Sequence, residues 1–327
     1  MQYRTIGDGD RAMEVSTLCL GTMFMGTRTD EETSFAILDR YVEAGGTFID
    51  TANNYNAWVG GYGRDSEDVI GRWLASRGVR DQVRIATKLG AAKKDPDQPL
   101  SNTPPTNYQG LAAETVDREA HESLRHLGVD RIDVLYGHVD DRDTAIAETV
   151  AAFGKLQAEG VVSLTGISNV PLWRVVEARE EAVRQGIAPY SLVQQSYSYV
   201  YPTPDPDRIN FASAELLDYA RSTGTPDRPS LAVVAYSPIL QGAYVRQDKP
   251  LWDWLDHATT RERLRVLHEV AGELGATPNQ VVLAWLLGGK VPVIPVIGAS
   301  TVEQLDELLA AADLELDEDV RARLDAV

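Results

Sequence analysis

Four side chains of this 327-residue sequence, Asp50, Tyr55, Lys88 and His138, are of types that make chemical sense together. A tyrosine hydroxyl titrates near ~10 in isolation, too high for efficient proton exchange at neutral pH. A lysine ammonium within hydrogen-bond reach favours the phenolate and lowers that value. Asp50 would keep Lys88 charged and oriented, and His138, neutral or protonated, would hydrogen-bond a carbonyl and fix its geometry. The sum is a general acid beside a polarised carbonyl. No side chain supplies a reductant, so a cofactor must bring the hydride.

Each residue alone has a blander role: Asp50 as a loop cap, Lys88 as a snorkelling chain, His138 as a rim histidine. Placement is what lifts the set. Short strand-like runs fall at 17–23, 47–52, 83–89, 132–138, 161–167, 192–197, 231–237 and 291–297. Helix-like stretches such as 31–44, 67–76, 112–127 and 302–312 alternate with them. That rhythm implies parallel strands joined by helical crossovers, and several runs are nearly continuously apolar, as in strands covered on both faces. Eight units predict one α/β domain over 1–327, a closed (β/α)8 TIM barrel, with an appended amphipathic helix at about 317–327. Such barrels carry their chemistry at the C-terminal ends of the strands. The second, third and fourth runs end in or near Asp50, Lys88 and His138, with Tyr55 just beyond the second. The irregular segments 91–110, 199–210 and 241–257 follow the third, sixth and seventh runs, so they belong to the same face, where long loops act as lids.

Composition narrows the partners. A formal charge of −18 argues against nucleic acid and anionic membrane surfaces, but not against an anionic small ligand, because helix N-termini bind phosphate at any net charge. Residues 1–10 are polar and no apolar run approaches spanning length, so neither a signal core nor a membrane helix is expected. Cys19 is the only cysteine, which excludes an internal disulfide and a cysteine-rich zinc site. The expectation is a cytoplasmic monomer that binds no metal.

Further motifs extend the pattern: Gly21-Thr22-Met23, Phe48-Ile49-Asp50-Thr51-Ala52 with Tyr55, Ala86-Thr87-Lys88, and His138 with Asp141. Later come Gly166-Ile167-Ser168-Asn169, Gln194 with Tyr197, Ala235-Tyr236-Ser237-Pro238, and Pro295-Val296-Ile297-Gly298-Ala299-Ser300. In order and spacing this set resembles the aldo-keto reductase family, from the N-terminal hairpin-like segment to about Ala312. The resemblance implies reduction of a small-molecule carbonyl by NADP(H), with Tyr55 as proton donor, Lys88 and Asp50 tuning it, and His138 orienting the carbonyl. It implies that Ser168, Asn169 and Gln194 hold the nicotinamide carboxamide and that Tyr236 stacks on the ring. Gly21 and Thr22 also join the cofactor site, Ser237, Ile239 and Gln241 lie along the pyrophosphate, and Gly298, Ser300, Gln304 and Glu307 meet the adenosine end.

Two departures bear on the cofactor. The family often has a lysine or arginine between the positions of Gly298 and Gln304 to hold the 2′-phosphate, and this chain has none there; Leu308 stands where asparagine is common near the adenine. NAD(H) is therefore an alternative to NADP(H). Two other functions compete. A Schiff-base aldolase-type barrel would use Lys88 as nucleophile, which needs a neutral lysine, whereas Asp50 favours the charged one. A cofactor-binding regulatory module would use the same barrel, but the complete tetrad argues against pure regulation. Trp58, Trp252 and Trp254 fall in loops on the catalytic face and are expected to wall a substrate pocket or to anchor the loops. Gly60-Gly61-Tyr62-Gly63 follows a loop rather than a strand, so it is no dinucleotide fingerprint and is expected to be a mobile active-site loop. His121 and His126 lie on a charged helix and are expected to be solvated, and His257 and His268 lack metal-like spacing.

Overall fold

A computed structural model describes every residue except 58–60, 96, 99–100, 103–104, 206–207 and 292. Its first elements are an antiparallel hairpin, β1 (Tyr3–Ile6) and β2 (Met13–Ser16). There follow β3 (Cys19–Gly21), α1 (Glu31–Glu43), β4 (Phe48–Asp50), α2 (Asp65–Arg77) and β5 (Arg84–Leu89). After a two-stranded flap, β6 (Ser101–Asn102) and β7 (Pro105–Thr106), come α3 (Ala113–Leu127), β8 (Ile132–Gly137), α4 (Ile146–Ala158), β9 (Val162–Ser168) and α5 (Leu172–Arg184). The remainder is β10 (Leu192–Ser196), α6 (Ala214–Arg221), β11 (Ala232–Tyr236), α7 (Ala258–Leu274), α8 (Pro278–Leu287), β12 (Val293–Ile297), α9 (Val302–Leu309) and α10 (Glu318–Asp325).

Eight of these strands close into a parallel barrel in the order β10-β11-β12-β3-β4-β5-β8-β9. Closure falls at the pairing of β12 with β3, where Val296 and Ile297 meet Cys19 and Leu20. The chain is thus the (β/α)8 barrel that the alternation of runs predicts. Each predicted run coincides with one barrel strand. Most strands are shorter than their runs, because only the segments held in the ladder take strand geometry, whereas β9 extends one residue further, to Ser168.

Two apolar layers hold the barrel. Inside, Cys19, Phe48, Ala86, Val134, Tyr136, Leu164, Leu192, Val234 and Ile294 form one buried cluster, and Ile6 and Val15 of the hairpin complete it. The hairpin packs on the N-terminal ends of the strands: Ser16 N donates to Thr47 Oγ1 at 2.8 Å, just before β4, and Ser230 Oγ donates to Asp8 Oδ2 at 2.9 Å, just before β11. It therefore floors the barrel. Outside, the larger cluster lies between strands and helices. Gly166 of β9 is required by contact inside the barrel rather than by backbone angle, since a Cβ on it would lie 2.4 Å from the Tyr136 ring.

Helix ends follow their sequence signals. Thr277 and Gln280 form a reciprocal capping box at α8, with Pro278 at the first helical position, as expected of that order of residues. Asp30 caps α1 by accepting from Thr33 N, and Thr301 caps α9 by accepting from Gln304 N. Among the described residues no helix is long and apolar enough to cross a membrane.

Candidate active site

The barrel strands deliver the site. Asp50 ends β4, Lys88 is the penultimate residue of β5, His138 directly follows β8, Ser168 ends β9, Gln194 lies within β10 and Tyr236 ends β11. Gly21 ends β3 and Gly298 follows β12. Parallel strands all present their C-terminal ends to one face, so residues far apart in sequence converge there.

Lys88 is the hub. Fully buried, it donates from Nζ to Asp50 Oδ2 at 2.5 Å, to Thr51 O at 2.7 Å and to Tyr55 Oη at 2.8 Å. Three ammonium protons thus meet three acceptors. An ammonium has no lone pair, so Tyr55 Oη is the acceptor in the last bond and its own proton points away from Lys88. The other oxygen of Asp50 accepts from Gln194 Nε2 at 2.8 Å. The His138 ring stands edge-on to Tyr55, with centroids 6.0 Å apart and planes at 74°.

The electrostatics differ in one respect from the sequence expectation. Burial pushes the Tyr55 hydroxyl up to about 12, Lys88 pulls it down, and Asp50 pushes it up again. Lys88 acts in the expected direction, but desolvation of the phenolate outweighs it. Burial alone would lower Lys88, yet the attraction of Asp50 and Tyr55 wins and its value is raised, so it stays charged. Burial, reinforced by Lys88, holds His138 well below the ordinary histidine value, so it is neutral at pH 7.

A second hydrogen-bond chain runs beside the first. Asn210 Nδ2 donates to Tyr236 Oη, Tyr236 Oη donates to Asn169 Oδ1, both at 2.8 Å, and Asn169 Nδ2 donates to the His138 carbonyl at 2.9 Å. Asn169 takes a left-handed conformation, φ 61°, and its N–H donates to Gln195 Oε1 at 2.7 Å. After β11 the left-handed region recurs at Ser237, Leu240 and Gln241, with φ of 53°, 50° and 57°. Each such non-glycine residue costs about 1–3 kcal/mol, and clustering of this kind marks functional loops.

A sequence profile of the Aldo/keto reductase family matches residues 17–327. The chain belongs to the aldo/keto reductase family. It is 32% identical to "Uncharacterized oxidoreductase YrpG" of Bacillus subtilis over 338 aligned positions, covering 100% of this chain and 96% of that one. It is 33% identical to the norsolorinic acid reductase stcV of Emericella nidulans, covering 94% of this chain and 76% of that one. With the aryl-alcohol dehydrogenase [NADP(+)] of Phanerodontia chrysosporium it shares 29%, covering 93% and 80%. The protein is thus an NAD(P)(H)-dependent oxidoreductase of the aldo/keto reductase type.

Several features of this aldo/keto reductase suit a dinucleotide. Ser168 Oγ is buried without a hydrogen-bond partner among the described residues, a donor still to be satisfied. The left-handed turn at Ser237 and Leu240–Gly242 is the sort of backbone concavity that binds anions, with Ile239 buried beneath it and Gln241 exposed. Gly298, Ser300 and Gln304 are exposed at the start of α9, and a Cβ on Gly298 would meet nothing. Other nominated residues are engaged within the protein. Thr22 Oγ1 is buried on Asp50 O at 3.0 Å and Ser66 Oγ at 2.8 Å. Glu307 Oε1 accepts from Thr277 Oγ1 at 2.7 Å, and Leu308 faces the core.

Trp252 and Trp254 are engaged with each other and with the neighbouring loop. Trp252 and Trp254 stack at 5.4 Å, Arg208 lies 4.4 Å from the Trp254 ring centre, and Trp254 O accepts from Thr203 N at 2.8 Å. The loops after β10 and β11 are thereby tied together. Trp58 lies outside the described residues, as does Gly60. The described part of that glycine segment is a bonded turn, in which Asp65 Oδ2 accepts from Tyr62 N at 2.9 Å and Gly63 N at 3.1 Å. His126 is not solvated: packing of α3 on α2 brings its Nδ1 to 2.6 Å from Asp68 Oδ1. His121 is exposed as expected, and His257 caps α7. Sequence reasoning passed over Asn210 and Gln195, which orient Tyr236 and Asn169. Nothing in the residue types flags Asn210; the doublet Gln194-Gln195 in an apolar run was the available signal for Gln195.

Proposed function

We propose that this enzyme reduces an aldehyde or ketone to an alcohol, with Tyr55 as the proton donor, and that aryl carbonyl compounds are the class to test first. The observation that carries the reading is the three-way bond of Lys88 to Asp50 Oδ2, Thr51 O and Tyr55 Oη. It turns the phenolic proton outward and places a cation where negative charge forms once that proton is given up. A nicotinamide dinucleotide, NADPH or NADH, supplies the hydride when bound. Ser168, Asn169 and Gln194 would hold its carboxamide, Tyr236 its ring face, the turn at Ser237, Ile239 and Gln241 its pyrophosphate, and Gly298, Ser300 and Gln304 its adenosine end. The aryl preference rests on the names of two relatives, the aryl-alcohol dehydrogenases of Phanerodontia chrysosporium and Pestalotiopsis microspora.

The residue chemistry is consistent with reduction. A hydroxyl pushed up to about 12 is fully protonated at pH 7, as a donor must be. As charge develops on the carbonyl oxygen the proton moves from Tyr55 Oη, and the phenolate left behind is stabilised by Lys88. Neutral His138 hydrogen-bonds the carbonyl without adding a charge that would repel Lys88. The aldolase alternative is disfavoured by the same geometry, since a charged Lys88 with all three protons engaged has no electron pair to attack a carbonyl.

The test is turnover of an aryl aldehyde with NADPH and with NADH, followed by loss of reduced cofactor. Tyr55→Phe keeps the ring and removes the proton; kcat should fall by ~10²–10⁴-fold while NADPH affinity, read by fluorescence titration, is unchanged. Wild-type turnover in Tyr55→Phe would sink the assignment.

A further inference from the structure

Beneath the Tyr55 loop lies a buried ionic cluster that residue types alone do not announce. Arg64, whose side chain is 11% exposed, sits between Glu67, 0% exposed, and Glu119, 9% exposed. Its Nη1 donates to Glu67 Oε2 at 2.8 Å and to Ser123 Oγ at 3.1 Å, and its Nη2 donates to Glu119 Oε2 at 2.5 Å. Each carboxylate then reaches toward the reacting groups. Glu67 Oε1 accepts from Thr87 Oγ1 at 2.6 Å, one residue before Lys88. Glu119 Oε2 accepts from Asn53 Nδ2 at 2.8 Å, two residues before Tyr55, and Asn53 N donates to Lys88 O at 3.0 Å.

One guanidinium therefore fastens both the strand that carries Lys88 and the loop that carries Tyr55. Arg64 also directly precedes α2, so the same network holds Asn53 ahead of Tyr55 and the start of that helix. Stability is a poor reason for such a cluster: buried ion pairs contribute little more than well-packed apolar residues of equal volume. What an arginine adds is direction, because its planar fork fixes two carboxylates in one geometry as a lysine does not. The Lys88–Tyr55 bond is a single contact between an ammonium and a hydroxyl on separate elements, and it needs both held still.

We propose that Arg64 is a positioning residue for carbonyl reduction, locking the Tyr55 loop onto β5 through Glu67 and Glu119 and so keeping the Tyr55 hydroxyl on Lys88. The proposal rests on the reading of Tyr55 as proton donor. Arg64 touches neither substrate nor cofactor in it, so its loss should lower kcat and leave binding alone.

The experiment compares wild type, Arg64→Met and Arg64→Lys by crystal structure, thermal melting and steady-state kinetics with an aryl aldehyde. In Arg64→Met the Lys88 Nζ to Tyr55 Oη contact should open beyond hydrogen-bond distance, and kcat should drop ~10–100-fold, the scale of a misplacement near ~1 Å. KM for the aldehyde and Kd for NADPH should hold. Arg64→Lys, a point charge that spans the two carboxylates imperfectly, should recover part of kcat. If Arg64→Met does not fold, Glu119→Gln weakens one prong of the fork and should show the same split at smaller size. A folded Arg64→Met that keeps the contact at 2.8 Å, or keeps wild-type kcat, overturns the proposal. Wild-type protein inactive toward every carbonyl would instead overturn the reductase reading, and the crystal structures would still decide whether Arg64 holds the contact.

Discussion

His138 is a histidine that does not behave as a pH switch. Burial first, and then the nearby charge of Lys88, hold it well below the ordinary value near 6.5. The sign of the linkage follows. Below the unfolded value the unfolded chain takes up a proton that the folded chain refuses, so this residue favours folding above pH ~6.5 and less and less as pH falls toward its depressed folded value. The slope in that window is about 1.4 kcal/mol per pH unit. Urea midpoints at pH 7 and pH 5 should show wild type losing more stability on acidification than His138→Gln; equal losses would mean that burial does not depress His138. Tyr55 shows the complementary effect. Its neighbours were readable as residue types, including the downward pull of Lys88, but the net upward push comes from burial, which residue types do not reveal.

The helices show why some signals were legible and others were not. Thr277 followed by Pro278 announces a helix start, and the structure adds that Thr277 Oγ1 accepts from Gln280 N at 3.3 Å and donates to Glu307 Oε1 at 2.7 Å. The cap thus also pins α8 to α9. Thr277→Ala should cost ~1–2 kcal/mol, seen as a lower urea midpoint with kcat unchanged; loss of kcat would mean that the cap reaches the site. Strand ends were legible where an apolar run gives way to a polar residue, as at Asp50, Lys88, His138 and Ser168. Arg64 and Glu67 were not, because charges at the head of an amphipathic helix normally face solvent, and only the packing of α2 on α3 buries these. Nor were the left-handed turns: Ser237, Leu240 and Gln241 are not the glycines that advertise such angles. Asn210 is illegible for a third reason, since its partner Tyr236 is 26 residues away.

At the scale of the whole molecule, charge decides between two cofactors that differ by one phosphate. The protein carries a formal −18, and two candidate cations are already paired: Arg40 Nε lies 2.7 Å from Asp306 of α9, and Arg246, in the loop after β11, pairs with Asp248 at 2.5 Å. Even the neutral donors are partly taken, because Ser300 N donates to Gln304 Oε1 at 2.9 Å and Gln304 N donates to Thr301 Oγ1 at 3.3 Å. A helix N-terminus alone contributes ~0.3–1 kcal/mol, against ~1.4 kcal/mol per tenfold. The ratio of Kd for NADH to that for NADPH should therefore be about tenfold or less, and Gln304→Arg should raise it; a ratio in the thousands would show that a cation reaches the phosphate from elsewhere. The hairpin that floors the barrel bears on a different matter, the evolvability of the scaffold. Ile6 and Val15 seal the end opposite the chemistry, so selection on the two ends is uncoupled. A mutant library in β1 and β2 should sort on expression yield alone, while one in the loops after β5, β10 and β11 should sort on which substrate is turned over, and both can be combined without retuning either.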